Sequence, residues 1–487
     1  MRLQEFFSTL SVILFYSAIP LILPLGYAYY YNEPSFTPIW QIMALMMLPA
    51  IPWLAGFILK KIWSFFTYLF KFIFRKEPTY NFAFSIISKP PEISSLKFGD
   101  ILSLAAICWI IIPIIWAYPY YVAGMQPIDA IFESFSGWTT TGLSTISSFA
   151  SFPDSIILYR SLTQWIGGLG IIFLMLTFLR HRQAKNLLAS EGKDTMELGS
   201  RKTALTLWRI YLILTLLSIA ALFLSGMGIF NSVNIAFAGI STGGFLPFAS
   251  FPFLSIQKLI MAATMFLGAT SFVTHNKIFS GNLSALWSEE FRLYVLIALV
   301  ACAIIFYVGH EGFEETYLNG ISALSSTGFT LTSLALHPLT IYILILLMIF
   351  GGMYGSTAGG LKIWRILLAT KLVLSRIREY FLPQNSVQAI KIDGVAISDP
   401  TIRDAMGFIF IYLMLFLACS GAFLAWGYSL QDSIFTVSSA IGNVGLATVD
   451  IAPMGDTAKI LLSALMYLGR IEILPVLALL RLLAGRV

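Results

Sequence analysis

Long apolar runs separated by short polar ones recur along the whole chain, and most reach the roughly 20 residues that a membrane-spanning helix needs. They fall at about 8–30, 37–59, 101–123, 155–179, 205–229, 255–274, 291–309, 336–369, 405–428 and 458–480, which predicts an all-α polytopic membrane protein of about ten spans. The first run follows Met1-Arg2 and is longer than the core of a cleaved signal, so it is expected to be a retained anchor. Between later pairs of spans the pattern changes to a short, small-residue apolar helix followed by a glycine turn. Four turns of this kind occur: Thr139-Thr140-Thr141-Gly142-Leu143, Ile240-Ser241-Thr242-Gly243-Gly244, Ser325-Ser326-Thr327-Gly328-Phe329 and Gly442-Asn443-Val444-Gly445-Leu446. With Gly142, Gly243, Gly328 and Gly445 taken as counterparts, the chain reads as one unit written four times.

Internal duplication is a transporter habit. It predicts four parallel repeats of helix, re-entrant short helix with turn, and helix, set around a pseudo-fourfold axis. The expected boundaries are 1–98 for an N-terminal helix pair and cytoplasmic linker, then repeats at 99–182, 183–285, 286–382 and 383–487, the third with a broken second helix.

Composition narrows the class. Hydrophobic residues make up 58% of the chain and charged ones 11%, against about 25% charged in soluble domains. A soluble enzyme, a disordered chain and most nucleic-acid binders are excluded; the expected surroundings are a lipid bilayer, with no nucleic-acid partner. Cys108, Cys302 and Cys419 lie singly in apolar runs, so neither a disulfide framework nor a zinc site is implied. A membrane-embedded enzyme would need a Ser/His/Asp set or paired acids at membrane depth, and the pattern offers none.

Lys and Arg cluster between alternate pairs of spans, as in Lys60–Lys97, Arg180–Arg209 and Lys362–Arg403, and are absent from 210–257 and 404–458. The positive-inside rule puts the clusters and both termini in the cytoplasm and the four glycine turns outside. Three of the outer stretches hold acids: Asp129, Glu133 and Asp154; Glu311, Glu314 and Glu315; Asp432, Asp450 and Asp456. Such a mouth is expected to attract cations. His310 beside these glutamates is a weak metal pattern, better read as acids at a helix start.

A re-entrant segment is tolerated at membrane depth only where it lines a cavity or packs on protein. Glycine turns can aim consecutive carbonyls at an axis and replace a cation's water shell, as potassium-channel filters do. The expected filter is Thr140, Thr141, Gly142 and Leu143; Ser241, Thr242, Gly243 and Gly244; Ser326, Thr327, Gly328 and Phe329; and Asn443, Val444, Gly445 and Leu446. The ion would sit at Thr140, Thr141, Ser241, Thr242, Ser326, Thr327, Asn443 and Val444.

Two further features stand out. The run at 336–369 is too long for one span and carries Gly351, Gly352, Gly355, Ser356, Thr357, Ala358, Gly359 and Gly360 at its middle. Glycines four apart suit close packing of a continuous helix; an unwound segment beside the pore is the alternative, and the residues alone do not separate the two. Arg470 lies near the middle of the last run, where a lone cation is costly. It either pairs with a neighbouring helix or faces the conduction path; Glu472 lies on a different side of the helix and is no intrahelical partner.

The chain resembles the Trk/Ktr/HKT potassium transporter superfamily, specifically its TrkH type. The resemblance rests on Ser136-Gly137-Trp138-Thr139-Thr140-Thr141-Gly142, Arg160-Ser161-Leu162-Thr163-Gln164-Trp165-Ile166-Gly167-Gly168, Ser241-Thr242-Gly243-Gly244-Phe245, Gly355-Ser356-Thr357-Ala358-Gly359-Gly360-Leu361-Lys362 and Gly469-Arg470-Ile471-Glu472, and on the two extra N-terminal spans. It implies potassium uptake across the cell membrane and a gate made of the glycine-rich segment opposite Arg470. It also implies a homodimer with one pore per protomer, and a cytoplasmic ring of nucleotide-binding, TrkA-like regulatory subunits. No cofactor is expected on this chain, and the polar segments 180–204 and 376–403 are the expected docking surfaces. The fourth turn departs from the pattern with Asn443-Val444. A sodium-permeable or sodium-coupled variant is the alternative within the same fold.

Overall fold

The computed structural model describes residues 3–51, 98–146, 148–149, 151–179, 201–248, 253–309, 312–330, 337–381, 389–472, 475–476 and 479–481. The expected cytoplasmic linker up to residue 97, the docking segment 180–200, and His310 and Glu311 lie outside them.

Helix follows helix. The N-terminal elements are α1 (Leu3–Ala18), α2 (Ile22–Tyr30) and α3 (Phe36–Met47). The turn between α2 and α3 serves the rest of the molecule, because Glu33 accepts the Ser155 N–H at 3.0 Å and so caps the start of a later helix. The first repeat comprises α4 (Phe98–Trp116), α5 (Tyr118–Val122), α6 (Pro127–Trp138) and α7 (Asp154–Leu179). The second has α8 (Arg201–Leu224), α9 (Ile229–Ile240), α10 (Ser255–Gly268) and α11 (Phe272–Phe279). The third has α12 (Glu289–Gly309), α13 (Phe313–Leu324), α14 (Pro338–Phe350) and α15 (Ile363–Glu379), and the fourth α16 (Asp399–Ala425), α17 (Leu430–Ile441) and α18 (Asp456–Ile471).

Among the described residues five helical stretches are long and apolar enough to cross a membrane: Thr9–Tyr30, Leu102–Val122, Leu205–Leu224, Glu289–Val308 and Asp399–Ala425. Others of the ten apolar runs depart from straight spans. The run at 255–274 bends by 101° between α10 and α11, the run at 336–369 breaks between α14 and α15, and in the last run α18 ends at Ile471, with helical residues again at 475–476 and 479–481. Arg470 therefore lies in the last turn of α18, next to a break in the last run.

The short helices α6, α9, α13 and α17 are each 12 residues long. Pro127 opens α6, Gly228 and Gly312 stand at the N-caps of α9 and α13, and the Ser429 hydroxyl accepts the Asp432 N–H at the start of α17. Each packs against helices of its own repeat and against the last-formed span of the preceding one: α9 on α7, α13 on α10, α17 on α14, and α6 on α18. The fourth contact returns to the first repeat and closes a ring.

A two-stranded hairpin, β1 (Lys391–Ile392) and β2 (Val395–Ala396), lies in the segment before α16. Asp393 and Gly394 both have positive φ, the pattern of a tight hairpin turn. Asp393 and Glu289 bond each other's backbone N–H at 2.7 and 2.9 Å, and Lys371 of α15 pairs with Glu289, so the hairpin is tied to the start of α12 and the middle of α15.

Candidate functional site

All four short helices end alike. The chain leaves each through a residue in the left-handed region: Thr140 (φ 52°), Thr242 (56°), Ser326 (56°) and Asn443 (51°). The next N–H closes back five residues, from Thr141 to Ser136, Gly243 to Ala238, Thr327 to Ser322 and Val444 to Ser439, a Schellman-type cap. Glycine normally takes the left-handed position, and a β-branched threonine there is a true outlier costing roughly 1–2 kcal/mol. Strain repeated four times at one place marks a functional segment. All four residues carry a side-chain oxygen and are buried; Thr140 Oγ1, Ser326 Oγ and Asn443 Oδ1 have no hydrogen-bond partner among the described residues.

Two residues on, a second positive φ follows, at Gly142 (92°), Gly244 (80°), Gly328 (83°) and Gly445 (99°). The second turn is thus set one residue later than the sequence suggested: Gly244, not Gly243, is the counterpart of Gly142. Ser241 then corresponds to Thr139 at the helix cap, and Phe245 joins Leu143, Phe329 and Leu446 as the residue after the turn. The Gly243-Gly244 doublet offers two candidates for one conformational role, and spacing does not choose between them.

The four turns form a closed ring. A Cβ on Gly142 would run into the carbonyl oxygen of Gly243, one on Gly244 into that of Thr327, one on Gly328 into that of Val444, and one on Gly445 into that of Thr141. Neighbouring spans make room for the ends of the short helices in the same way: Gly167 abuts the Trp138 carbonyl, Gly268 that of Ile240 and Gly469 that of Ile441.

On the C-terminal side of the short helices the chain is unwound from Gly351 to Lys362, which decides between a packed helix and a loop. Many of its backbone groups are satisfied by neighbouring elements, as buried groups demand. Met353 N–H donates to Ala269 O, Thr357 N–H to Gly268 O, and Leu361 and Lys362 N–H to Ile349 O and Phe350 O. The Thr357 hydroxyl donates to Ile240 O at 3.0 Å, the last carbonyl of α9, or to Gly268 O at 2.9 Å. The break after α10 therefore frees the carbonyls that hold this segment. Gly359 lies against the Gly442 carbonyl, directly beside the fourth turn.

Arg470 is 1% exposed and, among the described residues, bonds only to backbone: Nη1 to Thr357 O at 2.5 Å and Nη2 to Gly167 O at 3.0 Å. It ties α18 to the unwound segment and to α7. Glu472 pairs instead with Arg365 of α15, at 2.8 Å.

Three of the outer acids are paired with basic side chains, while Asp154, Asp450 and Asp456 are exposed. Glu133 is fully buried and pairs with Arg160 at 2.6 Å; Asp129 pairs with Lys459 and Glu314 with Lys258, at 2.6 and 2.7 Å. Those two lysines stand just past the base-free stretches in sequence and fold back onto the starts of α6 and α13.

These features define a helical membrane protein with four equivalent strained turns ringed around one axis and a buried cation next to them. The family of cation transport proteins named TrkH matches residues 109–292 and 307–484, and the chain belongs to it. It is 32% identical over 407 residues to an uncharacterized cation transporter of Methanocaldococcus jannaschii, covering 81% of this chain and 85% of that protein. It is 30% identical over 416 residues to the Trk system potassium uptake protein TrkH of Vibrio parahaemolyticus, covering 79% and 86%. The crystal structure of the potassium transporter TrkH from Vibrio parahaemolyticus superposes with a TM-score of 0.81 at 25% identity, over 99% of both chains.

Proposed function

We propose that this chain takes up potassium across the cell membrane through the axis ringed by the four turns. The observation that carries the reading is the closed ring, in which each left-handed glycine lies on the carbonyl of the next turn. In an extended strand successive carbonyls alternate sides; a positive φ on every second residue undoes that alternation and lines them up on one side. Four such strands offer stacked rings of oxygens for a dehydrated cation. The names of the TrkH relatives support potassium as that cation.

The gate in this reading is the segment Gly351–Lys362 latched by Arg470. With Arg470 bonded to Thr357 O, a cation leaving the turns meets both a buried segment and a like charge. The repeats take the boundaries 99–182, 183–285, 286–382 and 383–487, both termini lie in the cytoplasm, and the chain works as a homodimer under a TrkA-like nucleotide-binding subunit. Potassium is cargo, and the chain itself holds no cofactor.

The test is flux in reconstituted vesicles. Gly142→Ser places a side chain against Gly243 O at a positive φ, so potassium-over-sodium flux should fall while the protein remains folded. An unchanged ratio at normal folded yield would reject the filter.

A further inference from the structure

We infer that Gln164 is a positioning residue for ion discrimination: its amide replaces the side chain that the second turn lacks and holds the Gly243 carbonyl in the ring. The inference rests on the filter reading above. Counterparts of Gly243 in the other turns are Thr141, Thr327 and Val444, all buried. Gly243 does not share the positive φ of Gly244, so its conformation makes no demand for glycine. Space does: a Cβ there would fall on the Cδ, Oε1 and Cβ atoms of Gln164.

Gln164 is fully buried in α7 and uses both ends of its amide on this one turn. Its Nε2 donates to Gly243 O at 2.5 Å and its Oε1 accepts the Phe245 N–H at 3.0 Å. One helical turn earlier on the same face, Arg160 lies 4.0 Å over the Phe245 ring and donates to Leu246 O at 3.3 Å. Helix α7 thus braces the second turn at three residues, Gly243, Phe245 and Leu246. Among the described residues, side-chain bonds at the other turns reach the hydroxyls of Thr141 and Thr327, and none is found on the carbonyls of Thr141, Thr327 or Val444. A carbonyl oxygen has two lone pairs, and Gln164 engages one of those on Gly243. The ring is therefore asymmetric in ligand strength as well as in sequence, and its second oxygen is held by an amide rather than by packing.

Potassium and sodium flux are measured on vesicles holding equal folded protein, judged by monodispersity in detergent. Gln164→Met keeps the volume and removes both bonds. Its potassium-to-sodium ratio should fall about fivefold, the scale of one or two lost hydrogen bonds. An unchanged ratio at parental folded yield would overturn the inference. Should Gln164→Met not fold, Gln164→Ala is compared with Gln164→Ala/Gly243→Thr, which gives the second turn the threonine of the first and third. A higher ratio in the double variant supports the substitution of amide for side chain, and an equal or lower one rejects it. Gly142→Ser is run alongside. If it alone lowers the ratio, only the role of Gln164 fails; if neither variant does, the filter reading fails with it.

Discussion

At the scale of single residues, the charges divide sharply by burial, and their removal should too. Arg160 and Glu133 are 2% and 0% exposed, and Glu133 also accepts from Ser144 and the Thr145 N–H at 3.0 and 3.1 Å. Breaking a buried pair leaves an uncompensated charge and costs about 3–5 kcal/mol. Arg160→Met should therefore lower the thermal midpoint in detergent strongly and cut folded yield. Lys258 and Glu314 are 18% and 34% exposed, and such a pair is worth about 1 kcal/mol at most; Lys258→Met should shift the midpoint little. Equal shifts in the two variants would contradict this division. The pairing of Asp129 and Glu314 with lysines was not legible, because Lys459 and Lys258 follow the base-free stretches and reach back only through the fold. The left-handed Thr140, Thr242 and Ser326 were hidden for a different reason: threonine and serine rarely adopt that conformation, so nothing local announces it. What the sequence did carry is the fourfold recurrence of a side-chain oxygen and a glycine after a short helix.

At the scale of elements, glycine density at 351–360 announced an irregular segment, and only the structure separates unwinding from close packing. The break after α10 carried no such sign, since Ala269-Thr270-Ser271 contains neither Gly nor Pro; its cause is tertiary, the capture of Gly268 O and Ala269 O by the neighbouring segment. Arg470 is the clasp of this assembly. A unit charge about 5 Å from a passing cation at an effective dielectric near 20 repels it by roughly 3 kcal/mol. Arg470→Ala removes that barrier and frees Thr357 O together, so flux per folded molecule should rise, by up to about a hundredfold on that Coulomb scale. Arg470→Lys keeps the charge but, with a single nitrogen in place of a fork, cannot span Thr357 O and Gly167 O alike, and should fall between parent and alanine. Lower flux in Arg470→Ala at equal folded protein would make Arg470 a structural residue only. Gly359→Ala tests the same element from its other side: a Cβ against the Gly442 carbonyl should push the segment off the fourth turn and raise flux in the absence of any partner. A fall in flux at parental folded yield would mean that the segment does not close on that turn.

At the scale of the whole molecule, the unwound segment proposed as the gate is continuous with α15 and, through it, with the hairpin. Helix α15 begins where the unwound segment stops, and its Lys371 joins Glu289 of α12 and the Lys391 carbonyl of the hairpin. The Asp393-Gly394 dipeptide is a hairpin signal that the sequence carried, although the segment reads more simply as a polar docking surface. A subunit that binds near this corner would act on the gate through α15 without touching the turns. In the proposed reading nucleotide sensing belongs to such a partner. The glycine cluster Gly167-Gly168-Leu169-Gly170 lies inside α7, with no strand ahead of it, and Gly167 is packed on the Trp138 carbonyl. A dinucleotide site needs a strand, a glycine turn and a helix start whose N–H groups are free for phosphate; here those N–H groups belong to a continuous helix. Lys362 after Gly359-Gly360 is no phosphate site either, since its ammonium is turned onto the Ala358 carbonyl of its own segment. The purified chain should therefore give no heat with ATP, ADP or NADH in calorimetry at concentrations near 1 mM, the weak end of the binding scale. Flux should nonetheless respond to nucleotide once the cytoplasmic subunit is added to the same vesicles. Glu289→Ala, which removes the carboxylate that joins the Asp393 N–H to Lys371 and so loosens the hairpin from α12 and α15, should blunt that response while leaving the potassium-to-sodium ratio at its parental value. A nucleotide response from the chain alone would move the sensor into this molecule, and a changed ion ratio in Glu289→Ala would mean that the hairpin supports the turns rather than the gate.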